Sequence, residues 1–222
     1  MLSKDWAGAG HSQGGSTAWK LAEQVQQLLN SNKQHTSGRY LGSVALSPVP
    51  NVRDVFYWMV NNVFPLKEFH RYVTVAEIPS IAVALKNAYP AFDLSTLFAE
   101  PLRKRLELTD HAQMCTNAMM GLTADLSIEE LVSPTFSSDA RTEVSNNLLT
   151  KWQDATQVTA TGSINAPLLV VQGMADTFVL PAIMIASSEE ACRTPGYEVH
   201  LSLYDSQDHS PTVVATAPEW LD

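Results

Sequence analysis

Six residues near the amino end, Gly10-His11-Ser12-Gln13-Gly14-Gly15, constrain this chain more than any other stretch. Residues 4–9, which precede them, read as the stub of a strand entering the turn. After them, Ala18, Leu21, Ala22, Val25, Leu28 and Leu29 recur at helical spacing between Gly14 and Asn30. A glycine-framed serine between a strand and a helix predicts a sharp strand-to-helix turn. Glycines are expected beside it because a side chain there would clash across so tight a bend. The pattern G-x-S-x-G reads as a nucleophile elbow, the turn that holds a serine hydroxyl at the end of a strand.

The rest of the chain continues in the same alternation. Asn30-Ser31-Asn32 stops the helix, and a polar loop runs to Gly38. Tyr40–Leu46 reads as a buried strand closed by Ser47-Pro48. Pro167–Gln172 is a continuous apolar run, the mark of a strand buried on both faces of a parallel sheet. A helix fits between Pro181 and Thr194. Tyr197–Tyr204 reads as the last strand, with Val199, Leu201 and Leu203 on one face. The middle, about 48–160, contains helical segments broken by prolines: Val52–Phe64, Ile81–Asn87, Leu97–Met114 and Ala140–Trp152. Nothing there alternates as a strand does. A helical insert between strands of an α/β sheet predicts a cap. Its Phe56, Trp58, Met59, Phe64, Met114, Met119 and Met120 would either line an acyl pocket or simply hold the cap together. Three regions follow: 1–47 (strand, helix and next strand), 48–160 (helical cap) and 161–222 (the remaining core).

Composition narrows the function. The chain has 222 residues, 45% of them hydrophobic and 17% charged, an ordinary globular balance. Its formal charge of -9 argues against a nucleic-acid partner, whose phosphates need a basic surface. No apolar run approaches the roughly 18 residues of a transmembrane segment. Met1-Leu2-Ser3-Lys4-Asp5 lacks the apolar core of a signal peptide. Cys115 and Cys192 have no metal spacing; they either pair once or stay buried as small hydrophobes. No metal or organic cofactor is implied.

A serine hydroxyl is a weak nucleophile until a base takes its proton. The helix after Ser12 aims its positive end at that hydroxyl, and the Gln13 N–H is an oxyanion donor. An acid is expected in the loop after the next-to-last strand. In Val170-Val171-Gln172-Gly173-Met174-Ala175-Asp176 an apolar strand ends at a glycine and an aspartate follows, so Asp176 is the candidate. An ordinary turn aspartate is its plain alternative, and Asp205 and Asp208 are rival acids. The base is expected after the last strand, where His209 stands in Asp205-Ser206-Gln207-Asp208-His209-Ser210-Pro211. His11 belongs to the elbow, with its side chain expected to point away from the serine's. His200 is expected outward on the last strand, and His35, His70 and His111 on the surface or in the cap.

With these elements in place the chain resembles the α/β-hydrolase superfamily, in which the order is Ser…Asp…His. More narrowly it resembles the fungal secretory lipase family. The likeness rests on Gly10-His11-Ser12-Gln13-Gly14-Gly15, on Gln172-Gly173-Met174-Ala175-Asp176 with Pro181, and on Asp208-His209-Ser210-Pro211 leading to Pro218-Glu219-Trp220-Leu221. It implies a partial α/β-hydrolase fold: a mostly parallel sheet without the upstream strands, with a helical cap inserted between strands. It also implies ester hydrolysis by Ser12, Asp176 and His209 on a small-molecule or lipid ester. An acyltransferase or peptidase would use the same triad. The family implies secretion of full-length relatives. It further implies upstream strands and a loop carrying a second oxyanion N–H, neither of which precedes Gly10. One such donor is worth about 2.7–4 kcal/mol. The alternative expectation is therefore a truncated, non-catalytic half-domain that associates with another chain through an exposed sheet edge.

Overall fold

The computed structural model describes residues 4–31, 38–134, 150–154, 158, 164 and 166–221. The expected helix over Ala140–Trp152 lies mostly outside them; 150–154 is helical. The chain divides into two compact units, Met1–Val55 with Thr156–Asp222, and Phe56–Ala155.

Among its described residues the first unit has four strands: β1 (Asp5–His11), β2 (Arg39–Leu46), β3 (Leu168–Gly173) and β4 (Val199–Tyr204). They lie side by side in chain order, and every neighbouring pair is parallel. Helix α1 (Gln13–Ser31) links β1 to β2. The register sets Gly10 beside Ala45, Ala45 beside Val170 and Val170 beside Leu201. This row faces the core. Trp19 and Ala22 of α1 pack there with Ala45, Leu168 and Val170 of the sheet. Met184 and Ala191 join them from the helix at Pro181–Arg193. Each large side chain buried in this way contributes about 1.5–3 kcal/mol.

Two details of the expected pattern shift. The buried stripe of α1 is Ala18, Trp19, Ala22 and Val25, whereas Leu28 is 50% exposed. In β4, Val199 and Leu201 pack against the core, but Leu203 is 45% exposed at the end of the strand.

The neighbouring row, His11, Leu46, Val171 and Ser202, faces the other side of the sheet. The terminal helices, His209–Ala215 and Ala217–Leu221, follow β4. The first packs on β3, where a Cβ on Gly173 would lie 2.3 Å from the Gln207 oxygen and from Thr212 Oγ1. In the second, Glu219 accepts hydrogen bonds from the Ser202 and Tyr204 hydroxyls. Beside these helices the same face is open among the described residues. A concavity of about 830 Å³ there is lined by Ala7, Leu41, Val44, Leu169 and His200.

The second unit is helical among its described residues, apart from one antiparallel bridge between Phe98 and Val132. Its main helices are Ile78–Ala88, Glu100–Ala112 and the part of Val52–Asn62 from Phe56 onward. Phe56, Met59, Phe64, Ile78, Leu85, Leu102 and Leu131 form its core. Trp58, Met114 and Met119 pack against that core. Of the residues considered for an acyl pocket, these six hold the unit together, and Met120 is half-buried at its surface. No helix among the described residues is long and apolar enough to cross a membrane.

Candidate active site

In a parallel sheet every strand ends at the same edge, so the turns after β1, β3 and β4 gather side chains from distant parts of the sequence. The first of these turns is only one residue long. Ser12 donates its N–H to Leu46 O at 2.9 Å, extending the β1–β2 ladder by one step. Its carbonyl already accepts the Ser16 N–H at 3.0 Å, the first bond of α1. To serve both elements Ser12 takes φ 59°, a left-handed conformation that non-glycine residues rarely adopt. Such strain costs about 1–3 kcal/mol and persists only where packing enforces it.

The packing that enforces it is visible at two glycines. A Cβ on Gly10 would lie 2.1 Å from the Gly14 carbonyl oxygen, and one on Gly15 would lie 2.9 Å from Leu46 O. Gly14, by contrast, has nothing within 4 Å. The steric demand anticipated on both sides of the serine thus falls on Gly10 and Gly15. Ser16 Oγ fastens the helix to the loop after β2 through Val49 O and N, each at 2.8 Å. Gln13 is the first residue of α1, so the helix itself makes no use of its main-chain N–H.

Asp176 follows β3 and is 3% exposed. Its Oδ1 accepts the N–H groups of Phe178 and Val179, both at 2.8 Å. Its Oδ2 meets Gln172 Nε2 at 3.2 Å and His209 Nδ1 at 2.8 Å. All four partners are nitrogens, which suits an ionised carboxylate, an acceptor-only group.

His209 opens the helix after β4 and is 8% exposed. Asp208 caps that helix and accepts the His209 N–H at 2.7 Å, with Thr177 N at 3.3 Å from the same oxygen. The Asp208 carboxylate is therefore occupied with main-chain donors, and Asp205 is exposed in the preceding turn. Of the three aspartates considered, it is Asp176 that bonds the imidazole.

Two further rings confine His209. Phe178 stacks on it with centroids 4.6 Å apart and planes 13° apart. The His11 ring lies 4.5 Å away at 43°, with Nε2 3.2 Å from the His209 carbonyl oxygen. The side chain next to Ser12 thus touches His209, so the turn after β1 and the segment after β4 come together at the site. Among the described residues no hydrogen bond joins Ser12 Oγ to the imidazole. Burial lowers the proton affinity of His11, and the nearby His209 lowers it further; the bond to the His209 carbonyl and the Asp176 charge oppose this.

Sequence reasoning missed Gln172, His11 as a partner of His209, and Phe178. Gln172 left one signal, a polar residue inside an apolar strand. His200 is exposed on β4, and His70 and His111 are exposed in the helical unit; His35 lies outside the described residues. Cys115 and Cys192 are both free and exposed, so neither expected arrangement, pairing or burial, is found. Among the described residues no group of three or more His, Cys, Asp and Glu is placed to hold a metal ion.

No family model matches the sequence, and no curated relative does. Solved structures do match. A Legionella pneumophila protein assigned as a hydrolase superposes with a TM-score of 0.72 at 16% identity, over 100% of this chain and 56% of its own. The rice cell wall degrading esterase LipA of Xanthomonas oryzae gives 0.66 at 14% identity, over 98% of this chain and 58% of its own. Candida antarctica lipase A gives 0.59 at 13%, over 94% and 45%. The chain has a partial α/β-hydrolase fold and spans about half the length of these proteins.

Proposed function

We propose that this chain is a serine hydrolase of carboxylic esters, with Ser12 as nucleophile, His209 as base and Asp176 as the acid that orients it. The observation that carries the reading is the buried 2.8 Å contact between Asp176 Oδ2 and His209 Nδ1 at the sheet edge where the strained Ser12 sits. With Nδ1–H engaged by the carboxylate, Nε2 is free to take the serine proton. Ser12 Oγ then attacks the ester carbonyl. The Gln13 N–H and the positive end of α1 stabilise the oxyanion. His209 returns the proton to the departing alkoxide, leaving an acyl-enzyme. Water, deprotonated by the same imidazole, releases the acid. The elbow and the two loop motifs favour the fungal secretory lipase family within the superfamily. The names of the matching solved structures, an esterase and a lipase among them, favour an ester over an amide. An acyltransferase would differ only in the nucleophile that replaces water.

The test is fluorophosphonate labelling of the purified chain, with the labelled peptide mapped by mass spectrometry. A label on Ser12 that Ser12→Ala abolishes is the expected result. An undiminished label in Ser12→Ala overturns the assignment of the nucleophile.

A second reading, a non-catalytic half-domain that associates with another chain, is favoured by one observation. Among the described residues β1 pairs on one side only, and the sheet face beside it, with Leu41 44% exposed, is open. A folded chain that carries no label on Ser12 would favour this second reading.

A further inference from the structure

We propose that His11 is a positioning residue that ties the base to the nucleophile strand by donating its Nε2–H to the main-chain carbonyl of His209. The inference rests on the serine-hydrolase reading and extends it to a residue outside the triad. Proton transfer from Ser12 requires Nε2 of His209 within about 2.6–3.2 Å of the hydroxyl. The Asp176 contact holds only Nδ1 and leaves the ring able to turn about that bond. The other constraints come from Phe178, stacked at 4.6 Å, and from His11 at 4.5 Å. His11 differs from Phe178 because it is covalently next to Ser12. Its 3.2 Å contact with the His209 carbonyl therefore links the residue beside Ser12 directly to the main chain of the base.

The link needs a proton on Nε2 of His11, and a neutral ring of that tautomer supplies it without adding charge. The site favours that state. Burial and the neighbouring His209 both lower the affinity of His11 for a second proton. The Asp176 carboxylate opposes them, but its oxygens already meet four nitrogens. Asp208 faces the His209 main chain rather than His11. A neutral His11 also spares the imidazolium that forms on His209 from a second positive charge beside it.

Three measurements test the inference. The first is the rate of fluorophosphonate labelling at Ser12, with melting curves as a folding control. His11→Phe keeps a ring and removes the donor, and it should slow labelling about tenfold, as a small misplacement of a reacting group does. His11→Gln keeps an N–H donor and should recover part of that loss. Labelling of His11→Phe at the wild-type rate overturns the inference while leaving the hydrolase reading intact. The second is ester turnover, in which kcat should fall in His11→Phe and KM should hold. A loss confined to KM would overturn the positioning role. The third needs no activity and survives failure of the hydrolase reading: histidine ¹⁵N NMR of the wild-type chain. A protonated Nε2 and a bare Nδ1 on His11 at neutral pH are expected; the opposite tautomer, with Nε2 bare, refutes the tether.

Discussion

Replacing Asp176 with asparagine separates the stability of the site from its chemistry. Asparagine keeps one oxygen, and the main chain decides where it goes. Phe178 and Val179 both donate at 2.8 Å to Oδ1, so the amide oxygen takes that side. Its NH2 then faces Gln172 Nε2 and His209 Nδ1. Gln172 loses little, because its two hydrogens still have the carbonyls of Gly173 at 3.0 Å and Val179 at 3.2 Å. His209 recovers its contact by changing tautomer, so that bare Nδ1 accepts from the new amide. The net change in folding stability is then about 1 kcal/mol, one neutral hydrogen bond, or a fall in melting temperature of about 2–4 °C. The chemistry fares worse. The imidazole proton moves to Nε2, the atom proposed to accept from Ser12, and the rate should drop by about 10⁴. Melting curves and Ser12 labelling rates on the same sample check both numbers. Near-wild-type labelling in Asp176→Asn would refute the proposed role of the carboxylate. A loss of 4 kcal/mol or more would refute the hydrogen-bond exchange.

Gly10→Ala should cost about 3 kcal/mol or more, because its Cβ would meet main-chain atoms of Gly14 at 2.1 and 2.3 Å. Gly14→Ala faces open space in a helix and should gain about 0.5–1 kcal/mol; urea midpoints compare the two. His11 binds its proton more weakly in the fold than at its usual 6.5. Below that value the unfolded chain takes up a proton that the folded one resists, so stability is retained above it and lost as pH falls. Urea midpoints at about pH 7.5 and about pH 5.5 should show this loss, and His11→Phe should reduce it.

The parallel sheet was legible because a strand stub and three apolar runs are separated by helical spacing or by a long helical insert. Parallel strands then place the turns after His11, Gly173 and Tyr204 at one edge, whatever the chain length between them. Periodicity finds a helix face but not its centre. It marked Leu21 and Leu28 on α1, whereas the fully buried side chain is Trp19. The alternation in β4 placed Leu203 inward, but the strand's end lies beyond the core cluster. The neighbours of His209 were hidden for a different reason. A contact between His11 and a residue 198 positions away depends on how the turn after β1 meets the loop after β4. No local pattern encodes that. The two cysteines were equally silent, since spacing alone does not distinguish pairing, burial and exposure.

Gln172 occupies a place that admits only a neutral side chain with hydrogens to donate. It is fully buried, and its Nε2 lies within 3.2 Å of three oxygens: Gly173 O, Asp176 Oδ2 and Val179 O. Glutamate has the same shape with no hydrogens when ionised. Gln172→Glu would set a buried carboxylate against Asp176 and two carbonyls, all negative. Burial and a like charge raise a carboxyl pKa by about 3–5 units, which corresponds to about 4–7 kcal/mol at 1.36 kcal/mol per unit. The sign follows from the raised value. The unfolded chain loses the glutamate proton above about pH 4.3, whereas the folded chain holds it into the neutral range. The penalty therefore grows as pH rises from there and is complete above the folded-state value. At about pH 8 the variant should be largely unfolded or several kcal/mol weaker than wild type, and at about pH 5 it should recover most of the difference, its one O–H satisfying one of the three oxygens. Gln172→Leu separates charge from lost hydrogen bonds, since its deficit should not change with pH in this way. Equal stability of Gln172→Glu and wild type at about pH 8, measured by urea unfolding, would mean that the Asp176 carboxylate is not held in the dry, acceptor-rich pocket on which the whole reading of the site depends.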